Sequence, residues 1–415
     1  MLRKVYYGWI VALALMLLAS VSNSGSFAFG MFLLPMAQQF GADRAALSLA
    51  PTINRWLAGL LQPFGGYLAD RFGPRVLAIV GASCFGVSML LLAFARSPLG
   101  LYLAYGLLGG VGLAMTGGGI SARIIGAWFY RRRAVAMSLA SGGVVVGQFV
   151  IVPIVTLVMI QTDWRAASIV LGAIVVAIIV PVAGFFIRDT PAEKGLLPEG
   201  LDGAIHPRAL GNSGVSLREA MRNPIFWQLS FGLIACGVTM SFPNNHLMAF
   251  TMDLGMSPMT ASEAIGLAGL LALPGSLSLG FFGDRVGHQR TLAVAYSLRA
   301  LTYVILLNAT QPSVIMLAGL VLGLSWGATV PLTATVAADV FGTRSLATIV
   351  SVMTSLMYLA SGTFTYAAGL DFDLTGSYQI ALIVACTFGT LAALVCALIR
   401  DPTSTHTRTI QPAPA

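Results

Sequence analysis

Two arginines, Arg55 and Arg299, stand inside runs of sequence that are otherwise almost wholly apolar. A guanidinium stays charged and offers five N–H donors in a planar fork that fits a carboxylate. Holding it at the centre of a membrane-spanning helix costs about 2.5–3.5 kcal/mol. No Asp or Glu falls at comparable depth to neutralise either one, because Asp70, Asp284 and Asp339 belong to helix ends. The counter-ion expected for such a cation is a bound organic anion. Arg55 is the better placed of the two. It follows Asn54 and precedes Asp70 by 15 residues, about 22 Å along a helix at 1.5 Å per residue. The alternative for Arg55 is an arginine that snorkels or hydrogen-bonds between packed helices.

A second cluster lies in "SFPNNHLMAF", residues 241–250. Pro243 has no N–H to donate and is expected to break or kink its helix. Interrupted helices are tolerated where they line a cavity. Asn244, Asn245 and His246 follow the expected break directly, and an unperturbed imidazole titrates near pH 6.5. His246 therefore reads either as a proton-coupling group or as a neutral cap on a kinked helix. Asn23 and Ser24, Gln148, Trp326 and Tyr358 are further polar positions, open to reading as helix-packing contacts or as ligands. There is no Gly-rich phosphate loop, no paired His–Glu metal helix, and no nucleophile–His–acid set outside the apolar runs. Neither an enzyme nor a cofactor or metal centre is expected.

The elements that position these residues follow from composition. Of 415 residues, 57% are hydrophobic and only 9% charged, against about 25% charged in soluble domains. A spanning helix needs about 20 mostly apolar residues, and polar breaks divide the chain into twelve such runs. Their expected limits are 6–29, 46–68, 75–95, 98–121, 134–160, 165–187, 225–250, 260–282, 290–309, 312–337, 346–369 and 377–399. The first follows Arg3 and Lys4 but is too long for a signal-peptide core of about 7–15 residues, so it is read as a retained span. Cys84, Cys236, Cys386 and Cys396 all lie in apolar runs without metal-ligand spacing and are expected to be small buried hydrophobes.

The connection from Arg188 to Pro224 divides the chain into a six-helix unit at 1–187, a central loop at 188–224, a second unit at 225–400 and a tail at 401–415. With both termini in the cytoplasm, 18 Lys and Arg fall inside and only Arg44, Arg96 and Arg165 outside, as the positive-inside rule demands. A net charge of +8 spread over short loops does not form the one-sided basic face of a nucleic-acid binder. Glycine stripes at Gly143-x3-Gly147 and Gly319-x3-Gly323-x3-Gly327 are expected to serve as seams for rocking helices.

The phrase Gly66-Tyr67-Leu68-Ala69-Asp70-Arg71-Phe72-Gly73-Pro74-Arg75 returns as Gly280-Phe281-Phe282-Gly283-Asp284-Arg285-Val286-Gly287. Each copy follows the second helix of its half, an arrangement typical of two-lobed secondary transporters. The first copy resembles the loop between helices two and three of the major facilitator superfamily, and the second resembles its repeat between helices eight and nine. Tyr7-Gly8-Trp9, "AWFYRRRAVAMSLASGGVVVGQ" at 127–148 and "RDTPAEKGLLPEG" at 188–200 are similar to the monocarboxylate porter and oxalate–formate antiporter branch. One position departs from that branch. Many of its members carry an arginine four residues before the second loop glycine, where this chain has Ser276 before Gly280.

The resemblance implies an all-α membrane fold of twelve helices in two lobes, with helix two at the interface between them. It implies a secondary active transporter of a small, monocarboxylate-like organic anion, working by alternating access in a plasma or inner membrane. His246 beside Arg55 fits proton symport, whereas Arg55 alone fits an exchanger of the dicarboxylate or formate type. Efflux of an amphipathic compound is a further alternative, although the embedded acid usual for cationic cargo is lacking. A membrane sensor or receptor is another, although 37 residues of central loop leave little room for an output domain. Asp70 with Arg71, Arg75 and Arg131, and Asp284 with Arg285, are expected as latches that close the inner side, or simply as topology anchors. The expected partners are a small carboxylate, a proton and the bilayer, with no nucleic acid, and the expected state is a monomer.

Overall fold

In a bilayer the backbone has no water to bond with, so each long apolar run coils into a helix that satisfies its own N–H and C=O groups. The computed structural model describes residues 6–116, 118–200, 214–342 and 345–399, leaving out the side chains at 21–24, 26, 66, 67, 70, 118, 119, 133, 134 and 284. Among the described residues the spans are α1 (Tyr7–Phe40), α2 (Arg44–Phe72), α3 (Pro74–Ala93), α4 (Pro98–Trp128), α5 (Val135–Gln161) and α6 (Trp164–Phe186). Then come α7 (Pro224–Asn245), α8 (Pro258–Val286), α9 (His288–Leu307), α10 (Pro312–Phe341), α11 (Leu346–Thr375) and α12 (Gln379–Ala397). Ten of these are long and apolar enough to cross a membrane, and α1 contributes two shorter apolar stretches, Tyr7–Ser20 and Phe27–Phe40. The protein is a multi-pass, all-α membrane protein.

Two helices outrun their expected limits for the same reason. α1 was expected to stop at residue 29 but runs on through Pro35 to Phe40, where Gly41 at φ +57° turns the chain and its N–H bonds the Ala37 carbonyl. α11 continues past residue 369 to Thr375, closed by Gly376 at φ +71°. A left-handed residue ends a helix cheaply only if it is glycine, so the glycine rather than the last apolar residue marks the end. The break expected at Pro243 falls later. α7 passes through Pro243 to Asn245 and interrupts at His246, after which Leu247–Asp253 forms one more helical piece. The carbonyl that Pro243 cannot serve, on Thr239, instead accepts from the Tyr303 hydroxyl, which keeps the helix intact.

α1–α6 pack on one another, as do α7–α12, and among the described residues the most extensive contacts between the halves are α1 with α7, α2 with α11, and α5 with α8. The α2–α11 seam is the longest, and small residues bring its two backbones together. A Cβ at Gly362 would lie 2.9 Å from the Thr52 carbonyl oxygen, and one at Gly369 would lie 2.8 Å from Ser48 Oγ. Thr52 Oγ1 donates to the Gly362 carbonyl at 2.8 Å, and Trp56 Nε1 to that of Leu359 at 3.2 Å. Gly319, Gly323 and Gly327 face Ala264, Ala268 and Ala272 of α8 within the second half, and Gly143 faces Met16 of α1 within the first.

The central connection is fastened at both described ends. Glu199 donates its N–H to the Trp128 carbonyl at 2.9 Å, and Val215 to that of Phe341 at 3.0 Å. Asp189 accepts from the Arg75 N–H at 2.7 Å, at the first turn of α3. Burial holds the Asp189 carboxyl above its ordinary value despite that hydrogen bond.

Gly362→Val should force the α2–α11 seam apart, since overpacking costs about 1–3 kcal/mol. The expected result is a lower unfolding midpoint and a longer label-to-label distance across the seam. If midpoint and distance both match the unsubstituted protein, the seam does not depend on close approach at Gly362.

Candidate functional site

The strongest polar contact between the halves gathers around Arg44, the first residue of α2. Its guanidinium grips Asp253 with two bonds, NH1 to Oδ2 at 2.6 Å and NH2 to Oδ1 at 2.7 Å. NH1 also donates to the Tyr378 hydroxyl at 2.8 Å. The guanidinium carbon lies 3.4 Å from the centre of the Phe372 ring, a cation–π stack. Asp373 takes the backbone N–H groups of Arg44 and Ala45 at 3.0 and 2.7 Å. Asp43, the residue next to the α2 start, makes no side-chain cap, so a carboxylate from the opposite half caps the helix and complements its dipole. Asp371, two residues earlier on the same stretch of α11, accepts from the Ala381 N–H of α12 at 2.8 Å. Arg44, Asp253, Asp373, Phe372 and Tyr378 thus form a clasp.

His246 lies directly beneath it, fully buried. Its Nε2 is 2.9 Å from the Thr365 carbonyl and its Nδ1 is 3.3 Å from the Tyr378 hydroxyl. A carbonyl only accepts, so Nε2 carries the proton and Nδ1 accepts from Tyr378. The Tyr378 hydroxyl therefore accepts from Arg44 and donates to His246. Burial pushes the Tyr378 phenol well above its ordinary value, so it acts here as a neutral relay.

Deeper in the molecule, Arg55 is half-buried on the α2–α11 seam, its guanidinium carbon 5.6 Å from the centre of the Tyr358 ring. Gln148 is fully buried where α5 crosses α8 against Gly269, and neither its Nε2 nor its Oε1 has a hydrogen-bond partner. Asn244 and Asn245 stand where α1 crosses α7 at Gly30, and the Oδ1 of each is buried and unpartnered. Asn245 Nδ2 donates to the Ser241 carbonyl at 3.0 Å. A buried polar atom without a partner costs about 1–3 kcal/mol, and here four of them sit at lobe-to-lobe crossings. Nearby, Phe27 of α1 and Trp326 of α10 meet across the halves with ring centres 5.8 Å apart.

Other expected site residues lie apart from this seam. Arg299 is fully buried within the second half, where it donates to Thr329 Oγ1 at 2.9 Å, Thr239 Oγ1 at 3.1 Å, Cys236 Sγ and the Cys236, Ser325 and Trp326 carbonyls. Oxygen and sulfur acceptors of α7 and α10 thus surround its charge. Asn54 donates to the Tyr105 carbonyl at 2.9 Å, tying α2 to α4. Ser276 packs against Gly327 between α8 and α10. The side chains of Asn23, Ser24, Asp70 and Asp284 lie outside the described residues. Of their expected latch partners, Arg75 donates to the Gly184 carbonyl at 2.5 Å and Arg131 bonds Glu199, both within or just after the first half. Arg71 and Arg285 are exposed and stack on Phe72 and Phe281 of their own helices. From the level of Trp56 toward the Arg44 end, hydrogen bonds and an ion pair join the halves at Trp56, Thr52, Thr156 and Arg44.

The clasp was missed because its parts look like ordinary turn residues. Arg44 falls in the "GADR" turn, Asp373 in "DFDLTGS", and Asp253 after the last apolar residues of its span. The available signal was opposite charge at matched helix ends: an arginine on the side with few cations, and acids at two other ends on that side.

Residues 14–365 match the family described as the Major Facilitator Superfamily. An uncharacterized MFS-type transporter, YcxA of Bacillus subtilis, is 26% identical over 393 residues, covering 93% of this chain and 94% of its own. Monocarboxylate transporter 13 of Bos taurus is 26% identical over 384 residues, covering 92% and 87%. The oxalate:formate antiporter of Oxalobacter formigenes is 23% identical over 340 residues, covering 81% and 78%.

Removing one partner of a largely buried ion pair costs about 3–5 kcal/mol. Asp253→Ala should therefore loosen the clasp by about 3 kcal/mol, since Asp253 keeps 27% of its side-chain surface exposed. Hydrogen exchange across residues 44–50 and 371–381 should then accelerate by about 10²-fold. Unaltered protection in both segments would mean that the ion pair does not hold this end shut.

Proposed function

The chain belongs to the major facilitator superfamily, and we propose that it is a proton-coupled secondary transporter of a small monocarboxylate-like anion, working by alternating access. Two rocking units, residues 1–187 and 225–400, are joined by the 188–224 connection. Both termini lie in the cytoplasm, which puts the Arg44 clasp on the outer face and makes the described conformation one that is shut outside. Monocarboxylate transporters and an oxalate:formate antiporter among the relatives support an organic anion as cargo.

The observation that carries the reading is Arg55. It is a half-buried cation on the seam between the halves, with the Tyr358 ring beside it. Its planar fork suits a carboxylate. Gln148, Asn244 and Asn245 add amide atoms that are unpartnered while the halves are closed. As the halves part, water or a carboxylate oxygen can satisfy them. Arg299, surrounded by acceptors of its own half, is not assigned a place in the site.

Proton coupling rests on the hydrogen-bond directions beneath the clasp. Neutral His246 accepts at Nδ1 from Tyr378, while Tyr378 accepts from Arg44. A protonated imidazole must donate at both nitrogens. The Tyr378 hydroxyl would then face two donors with its own hydrogen unplaced, and two cations would share one buried relay. Protonation therefore favours an open clasp, and a closed clasp favours the neutral imidazole. A proton entering from outside would thus hold the outer face open for the anion.

Purified protein in liposomes tests this reading. Arg55→Ala should raise the KM for anion uptake by about 10–100-fold, the worth of a charge-assisted hydrogen bond, and Arg55→Lys should recover part of it. His246→Gln should abolish accumulation driven by an inward proton gradient while leaving anion-for-anion exchange measurable. Full uptake by Arg55→Ala removes Arg55 as the anchor. Proton-driven accumulation that survives His246→Gln removes the coupling role.

A further inference from the structure

Glu263 is an acidic residue within a spanning helix that takes no part in the clasp or the Arg55 level. It lies five residues in from Pro258, the first residue of α8 at the Arg44 end, about 8 Å along the axis. The 29 residues of α8 make a helix of about 43 Å, against a hydrocarbon thickness of about 30 Å. Each end therefore overhangs by roughly 6 Å, which sets Glu263 at the boundary between acyl chains and headgroups. The residue is exposed. Among the described residues, no cation forms an ion pair with its carboxylate.

Glu263 opens into a groove of about 390 Å³ between α5 and α8, lined by Phe149, Pro153, Leu267 and Met316 together with Ser262. Behind the groove the seam is shut. Thr156 Oγ1 and Ser262 Oγ are 2.5 Å apart across the halves, and Gln148 packs on Gly269. Phe149 is 51% exposed. The groove therefore faces the surrounding lipid rather than the interior of the protein.

We propose that this groove holds a phospholipid from the leaflet at the Arg44 end, with a primary-ammonium headgroup such as phosphatidylethanolamine. The ammonium donates to the Glu263 carboxylate at a depth where low dielectric strengthens a charge pair. An acyl chain lies along Phe149, Leu267 and Met316. A choline headgroup carries the same charge but no N–H, and a glycerol headgroup carries no cation, so both are disfavoured. Because the lining comes from both halves, the bound lipid braces α5 against α8 and leaves when that seam opens. None of this depends on the identity of the cargo.

Full-length protein with equimolar phosphatidylethanolamine, phosphatidylcholine and phosphatidylglycerol, examined by native mass spectrometry, tests the proposal. The expected result is a preference of about 10-fold for the ethanolamine lipid, the scale of one charge-assisted hydrogen bond. Glu263→Gln should abolish that preference. Gly266→Leu should also abolish it by filling the groove with the carboxylate intact; a Cβ there meets only Phe149 Cδ2, at 3.9 Å. No preference among the three lipids, a preference for either of the other two, or an ethanolamine preference that survives either substitution overturns the proposal.

Discussion

A charge buried where the two halves meet must keep its partners, and Arg44 is that charge. It keeps only 9% of its side-chain surface exposed and is met by Asp253, the Tyr378 hydroxyl and the Phe372 ring, all from the opposite half. An arginine so placed cannot lose one partner without another, or water, taking its place. The closure of this end follows. A hydrophobic plug could seal as well, but it would carry no hydrogen-bonded link to the residues beneath it. Tyr378 supplies that link, because its hydroxyl is shared between Arg44 and His246.

The rest of the seam sets close packing against buried polar atoms. Small residues along α2 and α11 bring two backbones within hydrogen-bonding reach at Thr52 and Gly362. Opposing this tight packing are the amide atoms of Gln148, Asn244 and Asn245, buried without partners at the other two crossings. A few kcal/mol of ion pairing therefore faces a few kcal/mol of unsatisfied hydrogen bonding.

Much of the fold was legible because the bilayer restricts the backbone to helices. Apolar run length set the number of spans, and the repeated Gly–Asp–Arg phrase marked equivalent places in the two halves. Helix ends were less legible, since Gly41 and Gly376 rather than hydropathy terminate α1 and α11. Arg55 could be singled out as a cation in an apolar run. Arg299 gave the same one-dimensional signal, yet its acceptors on α7 and α10 lie 26 to 63 positions away in the chain. The Pro243 break was misplaced for a similar reason, because the Tyr303 hydroxyl that rescues the Thr239 carbonyl comes from another helix. The clasp was hidden because each member, taken singly, is an ordinary turn residue.

The proposed coupling of the clasp to His246 can be tested directly by the distance between the two halves at the Arg44 end. Spin labels at Gln38 and Leu374, both exposed, in a cysteine-free background would report it by pulsed electron resonance in nanodiscs. If protonation opens the clasp, lowering the pH from about 8 to about 5, the range in which histidine titrates, should convert a short-distance population into a longer one. The same change in a His246→Gln background should leave the distances fixed. A distribution insensitive to pH, or one that shifts equally without His246, would contradict it.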